Sequence, residues 1–232
     1  MNLEKSNYQT AKQALLLISV VTLLIAGQTF LNATMKYNDG MNYFDFSLSA
    51  INSVPYSLTL IFVLVAALPF SLILFKENGI SITGMIIDKK HLKGDIIAGL
   101  LGGLFSIVSS LVLMPIQNHF AALPVPEAKP EDLSTFLLKF ISLAVVAGFL
   151  KELYFRAMAV HLLGKVMKIE TALILCNVLF GIVDWYNMGG SFIDGFVWIA
   201  LYKKRNYRLI VTIIAHATIN VVGVIYLHFF TM

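Results

Sequence analysis

The sequence predicts an all-α, polytopic membrane protein, and three observations lead to this fold class. Of the 232 residues, 58% are hydrophobic and 13% are charged, whereas soluble domains carry about 25% charged residues. The mean hydropathy is +0.81. Four uncharged stretches, 13–35, 46–75, 96–125 and 209–230, each reach or exceed the roughly 20 residues that a membrane-spanning helix needs. The core of a soluble protein of this size could not bury all four.

The first three predicted helices are separated by polar connections. The first covers about residues 13–31 and ends at a polar loop, 32–45, in which Asn38-Asp39-Gly40 is a turn signal. The second covers about 54–75, and the basic stretch 88–93 leads into a third over about 96–116. Gly99 and Gly103 of the third helix form a GxxxG pattern, which permits close packing against another helix.

A proline-rich polar loop, 124–132, precedes the last four predicted helices. The fourth covers about 133–163 and carries the charged heptapeptide 150–156. The fifth covers about 171–185 and ends before Gly189-Gly190, because two glycines favour a break. The sixth, 192–202, is short and is predicted to be a partial or tilted span; the seventh covers about 209–230.

The distribution of Lys and Arg predicts how these helices cross the membrane. Two of these residues precede the first helix, and the successive connections carry one, four, one, two, none and four. Because cytoplasmic loops are enriched in Lys and Arg, this alternation predicts about seven spans with the N-terminus in the cytoplasm. We expect one membrane domain over residues 1–232, in contact with lipid, and the compact size favours a bacterial plasma membrane. No nucleic-acid-binding motif is present.

Ionisable residues within the apolar segments are candidate functional residues, because a charge inside a membrane is costly unless it is paired or faces water. Lys151, Glu152 and Arg156 lie on the fourth helix, and Asp184 lies near the end of the fifth. Glu152 and Arg156 are four residues apart and share a helix face. Taken alone, this pair is most simply a structural salt bridge, and Asp184 an acid at a helix end.

The last helix carries a second pair at the same spacing, His216 and Asn220. Taken alone, an HxxxN pattern more often marks a hydrogen-bonded packing histidine than a ligand. The single cysteine, Cys176, lies within an apolar segment and excludes an internal disulfide and a CxxC metal site. The three polar sites, at 150–156, 184 and 216–220, follow one another about 30 residues apart. Their combination is more informative than any one of them taken alone.

The order and spacing of these sites resemble the CPBP family, the CAAX-protease and bacteriocin-processing membrane proteins also called the Abi family. That family's pattern is EExxxR, then FxxxH, then HxxxN, and the resemblance covers about residues 79–220. The resemblance implies that the first Glu activates water, and that the two histidines and the Asn bind or polarise the scissile carbonyl or a metal. The matching residues here are Glu152, Arg156, Phe180, His216 and Asn220.

Two positions depart from the family pattern. Lys151 stands where the first Glu is expected, and Asp184 stands where the second motif has His. With a neutral His216, Lys151, Glu152, Arg156 and Asp184 sum to zero charge, as a closed buried network requires. We therefore predict that Lys151 pairs with Asp184 and that Glu152 pairs with Arg156. Glu152 beside two cations is a poor general base.

These departures favour a protein that binds a peptide or a membrane-protein partner without cleaving it, as in bacteriocin immunity or cell-envelope regulation. The alternative is an active intramembrane endopeptidase with a rearranged site, in which Glu152 or Asp184 positions water and His216 with Asn220 stabilises the oxyanion. A small transporter is the third possibility. We expect no cofactor. A metal bound by Glu152, Asp184 and His216 is disfavoured because Lys151 places a positive charge beside it.

Overall fold

A computed structural model describes residues 2–35, 54–121, 132–185 and 189–229. These residues form eight helices and no strand. In chain order they are α1 (Asn2–Met35), α2 (Val54–Glu77), α3 (Ile82–Ile86), α4 (Leu92–Ala121), α5 (Leu133–Lys165), α6 (Ile169–Val183), α7 (Gly190–Lys204) and α8 (Ile210–Phe229). The predicted turn at 38–40 and most of the predicted proline-rich loop lie outside the described residues.

Four of these helices, α1, α2, α4 and α5, are long and apolar enough to cross a membrane. At 1.5 Å per residue, the 24 residues of α2 extend about 36 Å, which exceeds the roughly 30 Å hydrocarbon layer. Helices α6 and α7 have 15 residues each, and an apolar segment of α8 covers Ile210–Tyr226. The predicted polytopic membrane helix bundle is confirmed, and the described residues contain four long apolar helices and three shorter ones.

The helix boundaries agree with the sequence prediction to within two residues for α2 and for α5 to α8, and α1 and α4 are longer than predicted at both ends. Helix α1 begins at Asn2, eleven residues before the predicted start, because the polar segment that precedes the apolar stretch is helical as well. Helix α3 was not predicted, since five residues carry too little periodicity to recognise. It begins where the Ser81 side chain accepts a hydrogen bond from the Gly84 amide, which is the usual role of an N-cap serine.

Helices α4 and α8 pack closely because glycines line the face of α4 that meets α8. A Cβ atom added at Gly99 would lie 2.7 Å from the Ile214 Cβ and from the Val211 carbonyl oxygen. One added at Gly103 would lie 2.9 Å from the Ala215 carbonyl oxygen. Both distances are shorter than real side chains tolerate, so the predicted close packing at this GxxxG is confirmed.

The second half of α5 lies at the centre of the bundle. Leu153, Tyr154 and Phe155 on this helix are buried, and the Tyr154 hydroxyl donates to the Leu64 carbonyl on α2. Side chains on the outer faces are apolar and exposed, as on α2, where Phe62 is 72% exposed. An apolar exterior around a centre that contains charged side chains is expected of a protein whose solvent is lipid.

A buried ion cluster fixes one end of the bundle, which we call the basic end. Asp95 on α4 is fully buried and accepts hydrogen bonds from both Arg205 and Arg208 in the connection between α7 and α8. Arg208 uses two nitrogens and so binds the carboxylate as a fork. The same connection holds Asn206 and Tyr207 at φ 53° and 56°, a left-handed conformation that is uncommon outside glycine. The sequence analysis did not single out Asp95.

Candidate functional site

Three helices bring the sequence-predicted polar residues together at the centre of the bundle. Helix α5 supplies Lys151, Glu152 and Arg156, the residue after α6 is Asp184, and α8 supplies His216. All five side chains are buried. Residues far apart in the sequence therefore form one continuous group, which we call the central network.

Helix α5 is not a regular α-helix where it carries the network. It contains two π-helical segments, Phe140–Ala147 and Leu153–Ala157, and the five α-helical residues Gly148–Glu152 lie between them. Lys151 and Glu152 thus end a short α-helical piece, and Arg156 lies in the second π-helical segment. Wide π-helical turns are rare and occur frequently at functional sites. The sequence analysis predicted a continuous helix and missed them.

The first ion pair of the network joins α5 to the end of α6. The Lys151 Nζ lies 2.7 Å from Asp184 Oδ1, and the two side chains are 3% and 7% exposed. The Ser191 hydroxyl donates to the other carboxylate oxygen, Oδ2, at 3.3 Å. The pair that was predicted from the two departures from the family pattern is confirmed.

Glu152 accepts contacts from both sides. Its Oε1 lies 2.8 Å from His216 Nδ1, and its Oε2 lies 3.6 Å from Arg156 Nε. The predicted Glu152–Arg156 pair is confirmed, but at 3.6 Å it is an ion pair without a hydrogen bond. The stronger contact of Glu152 is therefore the one to His216 on α8.

Arg156 reaches beyond Glu152 into α6 and α7. Its Nη2 donates to Asn177 Oδ1 at 3.3 Å, and Asn177 Nδ2 donates to the Phe192 carbonyl at 3.0 Å. A Cβ atom at Gly195 would overlap Asn177 Oδ1, so a glycine is required on α7 at this point. The sequence could have indicated Asn177, because it precedes Asp184 by seven residues and so lies on the same side of the helix.

Aromatic rings separate the charges from the surrounding bundle. The Phe180 ring centroid lies 4.4 Å from Arg156 Cζ and 5.7 Å from Lys151 Nζ. The same ring contacts the His216 imidazole edge to face, with the centroids 5.6 Å apart. His216 also packs against the indole of Trp198 on α7, with the ring centroids 4.9 Å apart. Cation–π contacts of this kind stabilise both positive groups of the network.

Asn220 lies apart from the network, although it follows His216 by one helical turn. Its Nδ2 donates to the Leu143 carbonyl at 2.8 Å, inside the first π-helical segment of α5. The structure therefore brings together Lys151, Glu152, Arg156, Asp184 and His216, and it places Asn220 on the α5 backbone.

The network does not have the donor set of a metal site. Among the residues described, no group of three or more His, Cys, Asp or Glu side chains could hold a metal ion. The physical reason is that both carboxylates already have partners. Lys151 pairs with the Asp184 carboxylate, and Arg156 and His216 contact the Glu152 carboxylate. A dication would have to displace a cation from each carboxylate, so the residues present do not fit a metal.

Comparison with known proteins matches one segment of the chain to a family. Residues 133–222 match the family model described as Type II CAAX prenyl endopeptidase Rce1-like. The matched segment includes α5, α6 and α7, most of α8, and every residue of the central network. No curated protein and no solved structure matches the chain.

Proposed function

Because residues 133–222 match the Type II CAAX prenyl endopeptidase Rce1-like family model, we propose that this chain is a CPBP-family membrane protein that binds a peptide or a membrane-protein partner without cleaving it. The observation that supports this proposal is the 2.7 Å ion pair between Lys151 and Asp184. The two residues stand where the family pattern has a Glu that activates water and a His. Here the Lys151 and Asp184 side chains form an ion pair with each other.

Glu152 is a poor replacement for the missing base. A general base must accept a proton from water in the transition state. The carboxylate of Glu152 instead accepts from His216 and faces the Arg156 guanidinium, and taking up a proton would weaken both contacts. In a buried site these contacts cannot be replaced by solvent, so protonation of Glu152 is opposed from two directions.

A buried network without net charge is suited to recognition in the membrane. Its two anions and two cations neutralise one another, so a partner segment meets a site that is polar but not charged overall. We further propose that the recognised segment is a peptide or a transmembrane helix and that the role is bacteriocin immunity or control of a cell-envelope protein. The bacteriocin and cell-envelope roles rest on the family resemblance alone.

We also propose a bacterial plasma membrane as the location, with the N-terminus in the cytoplasm. At the basic end, the start of α4 contacts the connection between α7 and α8 through Asp95. Lys165, the last residue of α5, donates to Asn78, which directly follows α2, and this contact places the C-terminal ends of α5 and α2 together. Connections rich in Lys and Arg thus share one end of the bundle, which supports a cytoplasmic assignment for that end.

The proposal is tested by comparing wild type with Glu152→Gln in host cells from which the gene has been deleted, at matched membrane abundance. Glu170→Gln is the control, because Glu170 forms an exposed ion pair with Lys203 outside the network. Binding without cleavage predicts that mass spectrometry finds the same membrane-protein termini in the deletion strain and in the strains that carry wild-type protein, Glu152→Gln or Glu170→Gln. Protein termini that require both wild-type protein and Glu152 would overturn the proposal.

One observation favours the second candidate, an active endopeptidase with a rearranged site. The buried 2.8 Å contact between Glu152 and His216 is an acid–histidine pair, and such pairs can orient an imidazole for proton transfer. In that case His216→Gln and Glu152→Gln would abolish the same set of new termini. The same comparison of strains therefore separates the two candidates.

A further inference from the structure

A second polar group lies next to the central network, between α4 and α7. Asp194 on α7 is 4% exposed, and the Ser109 hydroxyl on α4 donates to its Oδ1 at 3.1 Å. Ser106, one turn earlier on α4, is fully buried and lies next to the Asp194 carboxylate. An acid inside a membrane bundle is costly, and nothing in the central network contacts this one directly.

Trp198 connects the two polar groups. It follows Asp194 by four residues on α7, and its indole Nε1 donates to the Ser106 Oγ at 3.0 Å. Since a serine hydroxyl carries one hydrogen and accepts on its oxygen, Ser106 can accept from the indole while it donates to the carboxylate. The position of the indole is therefore fixed by a hydrogen bond to a serine that lies next to Asp194.

The indole in turn limits the position of the site histidine. Trp198 and His216 are both buried, and their ring centroids lie 4.9 Å apart with an interplanar angle of 32°. Phe180 contacts both rings edge to face, at 5.9 Å and 5.6 Å. His216 is thus held between two aromatic rings while its Nδ1 meets Glu152.

We propose that Ser106, Asp194 and Trp198 are positioning residues that hold the His216 imidazole against Glu152. The proposed coupling leads from the Asp194 carboxylate through the neighbouring Ser106 hydroxyl and the Trp198 indole to His216. Loss of the indole hydrogen bond frees the ring to rotate, and His216 then loses one of its two packing surfaces. This inference rests on the proposed function only in taking His216 as part of the site that recognises the partner.

The chain allows a direct optical test, because it contains two tryptophans. In a Trp185→Phe background, Trp198 is the sole tryptophan, and its fluorescence in detergent micelles reports on the neighbouring imidazole. The measured quantity is the change in Trp198 fluorescence caused by His216→Gln. It is measured with Ser106 intact, with Ser106→Ala and with Ser106→Thr, which keeps the hydroxyl.

We expect the fluorescence change caused by His216→Gln to fall by about half or more in Ser106→Ala and to return in Ser106→Thr, as coupled residues behave in a double-mutant cycle. A change of equal size in all three backgrounds overturns the inference. If Ser106→Ala does not fold, Asp194→Asn provides the same comparison with side-chain volume kept, and an unchanged His216 effect there overturns the inference too. The readout needs no partner, so its outcome is independent of the cleavage experiment.

Discussion

Replacing either member of the Lys151–Asp184 pair should destabilise the protein far more than replacing both. Lys151→Met leaves the Asp184 carboxylate buried with the Ser191 hydroxyl as a remaining contact, and Asp184→Asn leaves the Lys151 ammonium without its counter-ion. Removing one partner of a buried ion pair costs about 3–5 kcal/mol, because an uncompensated charge stays behind. The Lys151 and Asp184 side chains are 3% and 7% exposed, so the energetics of a buried pair apply.

The double variant should cost much less than the sum of the single variants. An apolar and a neutral polar side chain of similar volume leave no unpaired charge, and such replacements of buried pairs are often close to neutral. We expect a coupling free energy of about 2–3 kcal/mol, at the upper end of the range for residues in contact. The free energy of unfolding, measured by denaturant titration in mixed micelles, gives all four values of the cycle.

A matched control lies outside the network. Lys203 and Glu170 form an ion pair with an N–O distance of 2.8 Å, but their side chains are 41% and 59% exposed. Exposed pairs of this kind contribute little to stability because water and salt screen them, so Lys203→Met should have a small effect. If Lys151→Met and Asp184→Asn prove additive, or if their effects are no larger than that of Lys203→Met, the argument for a closed buried network is refuted.

Two further predictions concern positions outside the central network. Arg208→Lys should destabilise the basic end, because a lysine cannot reproduce the fork to Asp95. We expect a loss of about 1–3 kcal/mol in the same titration, and an unchanged stability would contradict the assigned geometry. Asp132 caps α5 by accepting from the Thr135 amide, which lowers the pKa of Asp132. Because the folded pKa lies below the unfolded value, this contribution is complete above the unfolded pKa of about 4 and is lost as the pH falls through the folded pKa. Asp132→Asn should therefore reduce the loss of unfolding free energy that wild type shows as the pH falls below about 4. An unchanged dependence on pH would contradict a stabilising role for the Asp132 cap.

The sequence predicted the architecture well because apolar length is a local property. The two glycines of α4 were identified as a packing site, and the structure places the α8 backbone against them. The Lys151–Asp184 pair was predicted from charge balance, since four buried charges must neutralise one another in a medium of low dielectric. Both predictions use quantities that a single sequence contains.

The features that the sequence analysis did not predict depend on long-range geometry. The HxxxN spacing places His216 and Asn220 on one face of a helix, but the π-helical segment of α5 presents the Leu143 carbonyl at the level of Asn220. The residue pattern of Phe140–Ala147 does not distinguish a π-helical segment from an α-helix. The contacts of Asp95 with Arg208 and of Ser106 with Trp198 join residues 113 and 92 positions apart. They depend on which helices are neighbours.

The geometry also explains why the two departures from the family pattern occur together in this chain. With Lys151 and a histidine at position 184, the network would hold two cations against the single anion Glu152, and the ammonium would be buried without a counter-ion. With a glutamate at 151 and Asp184, three anions would face Arg156 alone, two of them at the 2.7 Å separation now occupied by the ion pair. Either change alone leaves an uncompensated buried charge. The charges at the two positions are therefore coupled, and Lys151→Glu combined with Asp184→His should be less destabilised than Lys151→Glu alone, because the net charge of the network falls from −2 to −1.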